Sequence, residues 1–241
     1  MNSEDRGRKK VALPAERHFL RSVRSFLIFC LGWMLTGCGT VAPRADAPPL
    51  PADDFESQPA LDERIEVARF DRKLMAQAVF HETNQVRLRL RLPAFRSLPK
   101  LDEAADLEAA VGKVYQPPSH TNPFPMIGTP FQRVQYVGLE IEQVAENIAL
   151  LSIYETNAGV GMVVREGKRH FLNPETHAEL QRATYRGFAH EVVRSWMESP
   201  GHRANIVNPA LAYLGCSVQP SVSLIGVDQL FCVQVFFTPT K

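Results

Sequence analysis

The sequence predicts an α+β domain built as a three-layer α/β/α sandwich around a mainly antiparallel sheet. Two observations carry this reading. The stretches 212–219 and 229–238 are rich in Val, Leu and Phe, and the second is apolar in both alternating sets, Phe231, Val233, Val235 and Phe237 against Leu230, Cys232 and Phe236. A strand with no polar face is covered on both sides. The covers are supplied by three segments whose apolar residues recur at helical spacing.

The first of these is 70–86, with Phe70, Leu74, Met75, Ala78, Val79 and Val86 on one face. A shorter one at 101–111 carries Leu101, Ala104, Ala105, Leu107, Ala109 and Val111. A longer one, 176–198, places Tyr185, Phe188, Ala189, Val192, Val193 and Trp196 together and is stopped by Ser199-Pro200-Gly201. Between the first two, Arg87-Leu88-Arg89-Leu90-Arg91-Leu92-Pro93 alternates strictly. If extended, it sets three arginines on one side, as a solvated edge or as a contact to anionic lipid or sugar phosphate. Residues 117–123 read as a loop, 147–154 as a buried strand, and 161–172 as a small hairpin turning at 165–168.

At 241 residues and 45% hydrophobic content, the chain can form one ordinary domain with appendages. The net charge of +1 conceals an asymmetry, since residues 1–24 hold seven Lys/Arg against three Asp/Glu and everything after Cys38 holds 20 against 23. A neutral to slightly acidic mature part gives no sign of nucleic acid as a partner. Behind the basic start comes an uncharged run, 25–35, too short for the ~20 residues of a spanning helix, which is the layout of a secretory signal peptide. It ends in Leu35-Thr36-Gly37-Cys38, which resembles a bacterial lipobox. The reading is a signal peptide over 1–37, lipidation of Cys38, and a Pro-rich tether over 38–69 holding the domain 70–241 at the membrane. Gly39 in place of Asp resembles outer-membrane sorting, which would face the domain into the periplasm.

Export frames the cysteines. Cys30 lies in the removed segment and Cys38 carries lipid, leaving Cys216 and Cys232 on the two terminal strands. They could pair across that hairpin, closing a loop worth roughly 3 kcal/mol. The alternative is two buried thiols.

His202 follows the stop of the long helix, held in place yet accessible, either as a site residue or as the closure of a turn. Three stretches decide between these: Trp196-Met197-Glu198-Ser199-Pro200-Gly201-His202-Arg203-Ala204-Asn205-Ile206, Ala145-Glu146-Asn147-Ile148-Ala149 and Ser119-His120. Together and in this order they resemble the bacterial form of the CAP superfamily (cysteine-rich secretory, antigen 5 and pathogenesis-related proteins), over about 70–238. Asn84 with Arg87, and Phe131-Gln132-Arg133, agree with it. The link at about 158–173 is longer than the bacterial pattern, so the hairpin there is an insertion that could cover or reshape the cleft.

The resemblance implies an α/β/α sandwich whose cleft gathers two histidines and two acids, with a divalent cation in some members. Carried over, these are His120, Glu146 and His202. Two imidazoles, a carboxylate and an open position suit Zn²⁺ or another divalent cation, with His120 and His202 as ligands. The second acid departs from the pattern. Ser199 stands where the resemblance implies a carboxylate, and Glu198, one position earlier and ~100° round a helix, is the candidate beside Glu191.

Other signals are discounted. His190-Glu191-Val192-Val193-Arg194 lacks the second histidine of a helical zinc-protease motif, as does His81-Glu82 followed by Gln85. His170 and His177 are surface residues. Neither a nucleophile elbow nor a phosphate-binding glycine loop occurs, and Ser119 beside His120 is no triad. The expected function is therefore a membrane-anchored module that binds a small ligand or partner, lipid or glycan, through the His/Glu cleft. The rival readings are a metal-dependent hydrolase or protease with Glu146 as general base, and a purely architectural envelope protein.

Overall fold

The last two strands form the centre of the sheet. In the computed structural model, which describes residues 55–115, 117–156, 159–223 and 226–240, β5 (Tyr213–Val222) and β6 (Asp228–Pro239) pair antiparallel, with Leu214 opposite Phe236 and Val218 opposite Cys232. The long strand β2 (Ile141–Ser152) pairs antiparallel to the other edge of β6, and the two-residue β1 (Arg96–Ser97) runs parallel to β5, giving the order β1-β5-β6-β2. β6 is buried on both faces, as its two apolar sets require. Phe231, Val233, Val235 and Phe237 join one core cluster, and Leu230, Cys232 and Phe236 join the other.

The second cluster is covered by α1 (Arg72–Arg89) and α4 (Tyr185–Glu198). The first lies under α2 (Pro99–Gly112) and the short α3 (Pro130–Tyr136). Side-chain caps fix the helix starts: Asp71 accepts from Leu74 N at 2.9 Å, and Thr184 accepts from Gly187 N at 3.0 Å. Tyr185 Oη accepts from Asp71 N at 2.8 Å, tying the first turns of α1 and α4 together. Gly215 has no Cβ because α2 crosses directly over it; a Cβ there would sit 2.3 Å from the Leu101 carbonyl carbon. The hairpin forms as expected from β3 (Gly161–Arg165) and β4 (Lys168–Leu172), closed by Glu166 and Gly167, both at positive φ as a two-residue turn demands. Among the described residues no helix is long and apolar enough to cross a membrane.

Four expectations are corrected. The alternating run after residue 86 is not extended: α1 continues to Arg89, and Arg87 is buried at 2% exposure with its guanidinium 3.8 Å over the Phe95 ring. The long helix begins at Tyr185 rather than at 176. Residues before it form isolated bridges, Leu172 to Glu179 and Tyr154 to Arg182, and Thr184 provides the cap that starts the helix. The domain begins before residue 70, because Leu61 and Ile65, on and after the 3-10 turn Pro59–Asp62, enter the core at 2% and 0% exposure. The signal peptide (1–37), Cys38 and the tether up to residue 54 lie outside the described residues.

The expected bridge is the fourth. Cys216 and Cys232 are buried free thiols. Cys216 sits opposite Gln234 and Cys232 opposite Val218, so the two sulfurs are diagonal rather than facing. Diagonal strand neighbours lie roughly 7–8 Å apart, beyond the reach of a disulfide.

Candidate functional site

The site is assembled on β2, where Ala145-Glu146-Asn147 alternates in and out of the sheet. Glu146 is buried, its side chain 1% exposed, and both oxygens are taken. Oε1 meets His120 Nδ1 at 3.0 Å, and Oε2 accepts from Arg133 Nη2 at 2.5 Å. Arg133 reaches inward because Thr129 and Gln132 form a capping box at the start of α3, which fixes the direction of that first turn. Its other arm, Nη1, meets Glu108 Oε2 on α2 at 2.7 Å and donates to Ile127 O at 3.0 Å. Two buried carboxyl groups thus share one guanidinium. His120 lies at the open end of this row, with its side chain 53% exposed.

The loop bearing His120 is pinned from the same row. Asn122 Nδ2 donates to Glu108 Oε2 and Ile127 O, both at 2.9 Å, and Asn122 N donates to Gly128 O at 2.9 Å. Ser119 Oγ turns to Thr121 at 3.1 Å, so no hydroxyl is presented to the imidazole by its neighbour.

His202 arrives from the other side. It is not on a turn but in α5 (Pro200–Val207), which Ser199 and Pro200 start afresh after α4 stops. α5 is moored to β2 by amides. Asn205 Nδ2 donates to Asn147 Oδ1 at 2.9 Å and Glu146 O at 3.3 Å, while Asn147 Nδ2 donates to His202 O at 3.2 Å and Gln234 Oε1 at 3.1 Å. The chain continues through Gln234 Nε2 to Thr83 Oγ1 at 2.7 Å on α1. Arg87 holds the far end of α5 by donating to Ile206 O at 2.7 Å and Asn208 O at 3.0 Å.

The two imidazoles are pushed apart in basicity. Hydrogen bonding to Glu146 raises His120 above its ordinary pKa, burial opposes this, and the Glu146 charge adds to the rise. Burial lowers His202, and the charge of the neighbouring His120 lowers it further. Burial also raises Glu108. The two shifts run in opposite directions, so a proton is favoured on His120 over His202.

His120, Glu146 and His202 are brought to one place, and Glu198 is not. Glu198 lies on the exposed face of α4, with Oε1 2.5 Å from Arg194 Nη1, and Glu191 meets Arg194 Nη2 at 2.6 Å. His190 and Glu82 face each other at 3.4 Å between α4 and α1, away from β2. Glu146 does not fit as a metal ligand, since a guanidinium and an imidazole occupy its oxygens, and among the described residues no three His, Cys, Asp or Glu side chains are placed to hold a metal ion. The donors open to a cation are two imidazoles, with Glu146 behind His120 in the position of a carboxylate that fixes a ligating ring.

Arg133 and Glu108 complete the row, and sequence reasoning assigned neither a role. The signal for Arg133 was its place in Phe131-Gln132-Arg133; Glu108 on α2 offered none.

The model of the cysteine-rich secretory protein family, CAP, matches residues 80–236. No curated protein sequence matches the chain. Similar solved structures include an extracellular protein of Bacillus anthracis containing an SCP domain, at 20% identity and a TM-score of 0.46, over 79% of this chain and 45% of that one. An outer surface protein of Borrelia burgdorferi is similar at 16% identity and a TM-score of 0.46, over 74% of this chain and 99% of that one. A cysteine-rich secretory protein of Staphylococcus aureus is similar at 11% identity and a TM-score of 0.40, over 69% and 39%. This chain therefore spans under half the length of the Bacillus protein.

Proposed function

The chain belongs to the cysteine-rich secretory protein (CAP) family, and on that premise we propose that it is an envelope module, exported and lipid-anchored at Cys38 at the outer membrane, that binds a small ligand through the cleft between His120 and His202. Ligands rich in hydroxyl groups, a glycan or a lipid headgroup, suit a pair of imidazoles, whose ring nitrogens can both donate and accept hydrogen bonds.

The observation that carries this reading is the engagement of Glu146. A general base must be free to take a proton from water or substrate. Here Oε2 is committed to buried Arg133 and Oε1 to His120, so the carboxylate sets the charge and orientation of the ring, and a binding role is favoured over a hydrolytic one. A divalent cation in this cleft would be held by His120 and His202 and would offer an electrophilic point to a ligand oxygen. An architectural role would leave the cleft without an occupant.

The test is titration of the full chain with soluble glycan fragments and with short-chain phospholipid, following the His120 and His202 ring protons by NMR. Saturable shifts of both rings with one ligand class, lost in His202→Ala, are expected. Rings unmoved by either class would favour the architectural reading, and turnover of a ligand abolished by Glu146→Gln would favour the hydrolase.

A further inference from the structure

A cavity of about 350 Å³ lies past the end of β2 at Ser152. Tyr154, which lines it, is seven residues along the chain from Asn147, on the order of 20 Å at the rise of an extended strand. Its walls come from β4, from Tyr154, from residues 179–182 ahead of α4 and from the chain before α1. Tyr154 and Phe171 form an aromatic surface, with ring centroids 4.7 Å apart.

Most charges around the cavity are paired. Arg64 Nη1 lies 2.5 Å from Glu155 Oε1, Arg182 meets Glu66 and lies 3.7 Å from Asp228, and Glu179 lies 3.2 Å from His170. Arg169 differs. Its guanidinium donates to the backbone oxygen of Gly226 at 3.1 Å, and among the described residues no carboxylate lies within ion-pairing distance of it. Gly226 is at φ +79°, and a Cβ there would sit 1.9 Å from Arg169 Nη1, so the guanidinium occupies space that glycine leaves open.

We propose that this cavity binds a small organic monocarboxylate with an aromatic or apolar body, its carboxylate on Arg169 and its body against Tyr154 and Phe171. The planar fork of a guanidinium matches a carboxylate in two parallel hydrogen bonds. The cavity falls within the size range of small-molecule pockets and exceeds what an inorganic anion fills. Glu66, Glu179, Arg64 and Arg182 line the same space but are each engaged as described, which leaves one lining guanidinium, that of Arg169, for a single carboxylate.

Phenylacetate is the probe, titrated into the full chain by calorimetry and by NMR. The expected result is saturable binding that shifts Tyr154, Phe171 and Arg169 resonances and leaves those of His120 and His202 in place. Arg169→Gln weakens it at least about tenfold, while Arg169→Lys, which keeps the charge and loses the fork, falls between. Benzylamine and inorganic phosphate do not compete. Absence of saturable binding, shifts centred on the histidines, or equal affinity in a folded Arg169→Gln chain would each overturn the proposal, and phosphate binding as tightly as phenylacetate would overturn the carboxylate assignment.

Discussion

Arg133 Nη2 lies 2.5 Å from Glu146 Oε2, and the two side chains are 0% and 1% exposed. The same guanidinium meets Glu108, itself 2% exposed. One buried guanidinium therefore serves two buried carboxyl groups, and Glu146 is met from the surface end by His120. This couples an internal ion pair to the basicity of an exposed ring, which the hydrogen bond to Glu146 raises.

Removing the cation isolates both carboxylates. Arg133→Met is expected to destabilise the fold by about 3–5 kcal/mol, the cost of leaving a buried partner unpaired. Urea unfolding of the two chains side by side measures it. A loss under ~1 kcal/mol would mean that the row is not excluded from water as described.

The histidines give opposite pH dependences. His120 has a folded pKa above 6.5, so the folded state binds more protons there; its stabilisation is complete below about 6.5 and is lost as pH rises through the folded value. His202 has a folded pKa below 6.5, so the unfolded state binds more protons and stability falls as pH drops from about 6.5 through that lower value. NMR titration of the ring protons should find His120 titrating above His202, and Glu146→Gln should bring His120 down. The reverse order would contradict the hydrogen bond to Glu146.

How much of this could be read from the chain depends on whether the deciding contact is local. β6 declared its burial in its own residues, because Phe231 and Cys232 are both apolar and no face remains for water. Arg87 did the opposite: alternation with leucine suggests a strand, but the α5 carbonyl of Ile206, 119 residues later, needs a cation, and the helix runs on to supply it. Glu198 lay one residue from the position that the resemblance marks, and ~100° of helical rotation is enough to hand it to Arg194. Arg133 was visible in a motif, but its role lies in Glu108 and Glu146, which only the packing of α2, α3 and β2 brings together.

Cys216 and Cys232 should be unreactive in the folded chain. Burial raises both thiols, Cys216 with a further push from Asp102, so the nucleophilic thiolate is scarce at neutral pH. Iodoacetamide is expected to label both positions only in denaturant, without a reductant, as read by peptide mass mapping. A requirement for reductant would restore the disulfide expected from the sequence.

The segment before α1 is the last test, because two adjacent residues there should behave oppositely. Arg64 and Glu155 form an ion pair, but with side chains 49% and 51% exposed it is screened by water, and exposed pairs contribute about 0–1 kcal/mol. Ile65, next in the chain, is 0% exposed within the cluster that holds Tyr185, Phe188 and Trp196, and its backbone N donates to Ala183 O at 2.9 Å. Ile65→Ala removes core volume that surrounding side chains fill only in part, a loss of about 2–5 kcal/mol. Arg64→Ala should therefore shift the urea midpoint little and Ile65→Ala strongly. If the two variants unfold alike, residues 55–69 act as the tether that their composition suggests; if they separate as expected, the folded domain begins with this segment and a chain shortened to residue 70 loses part of its core.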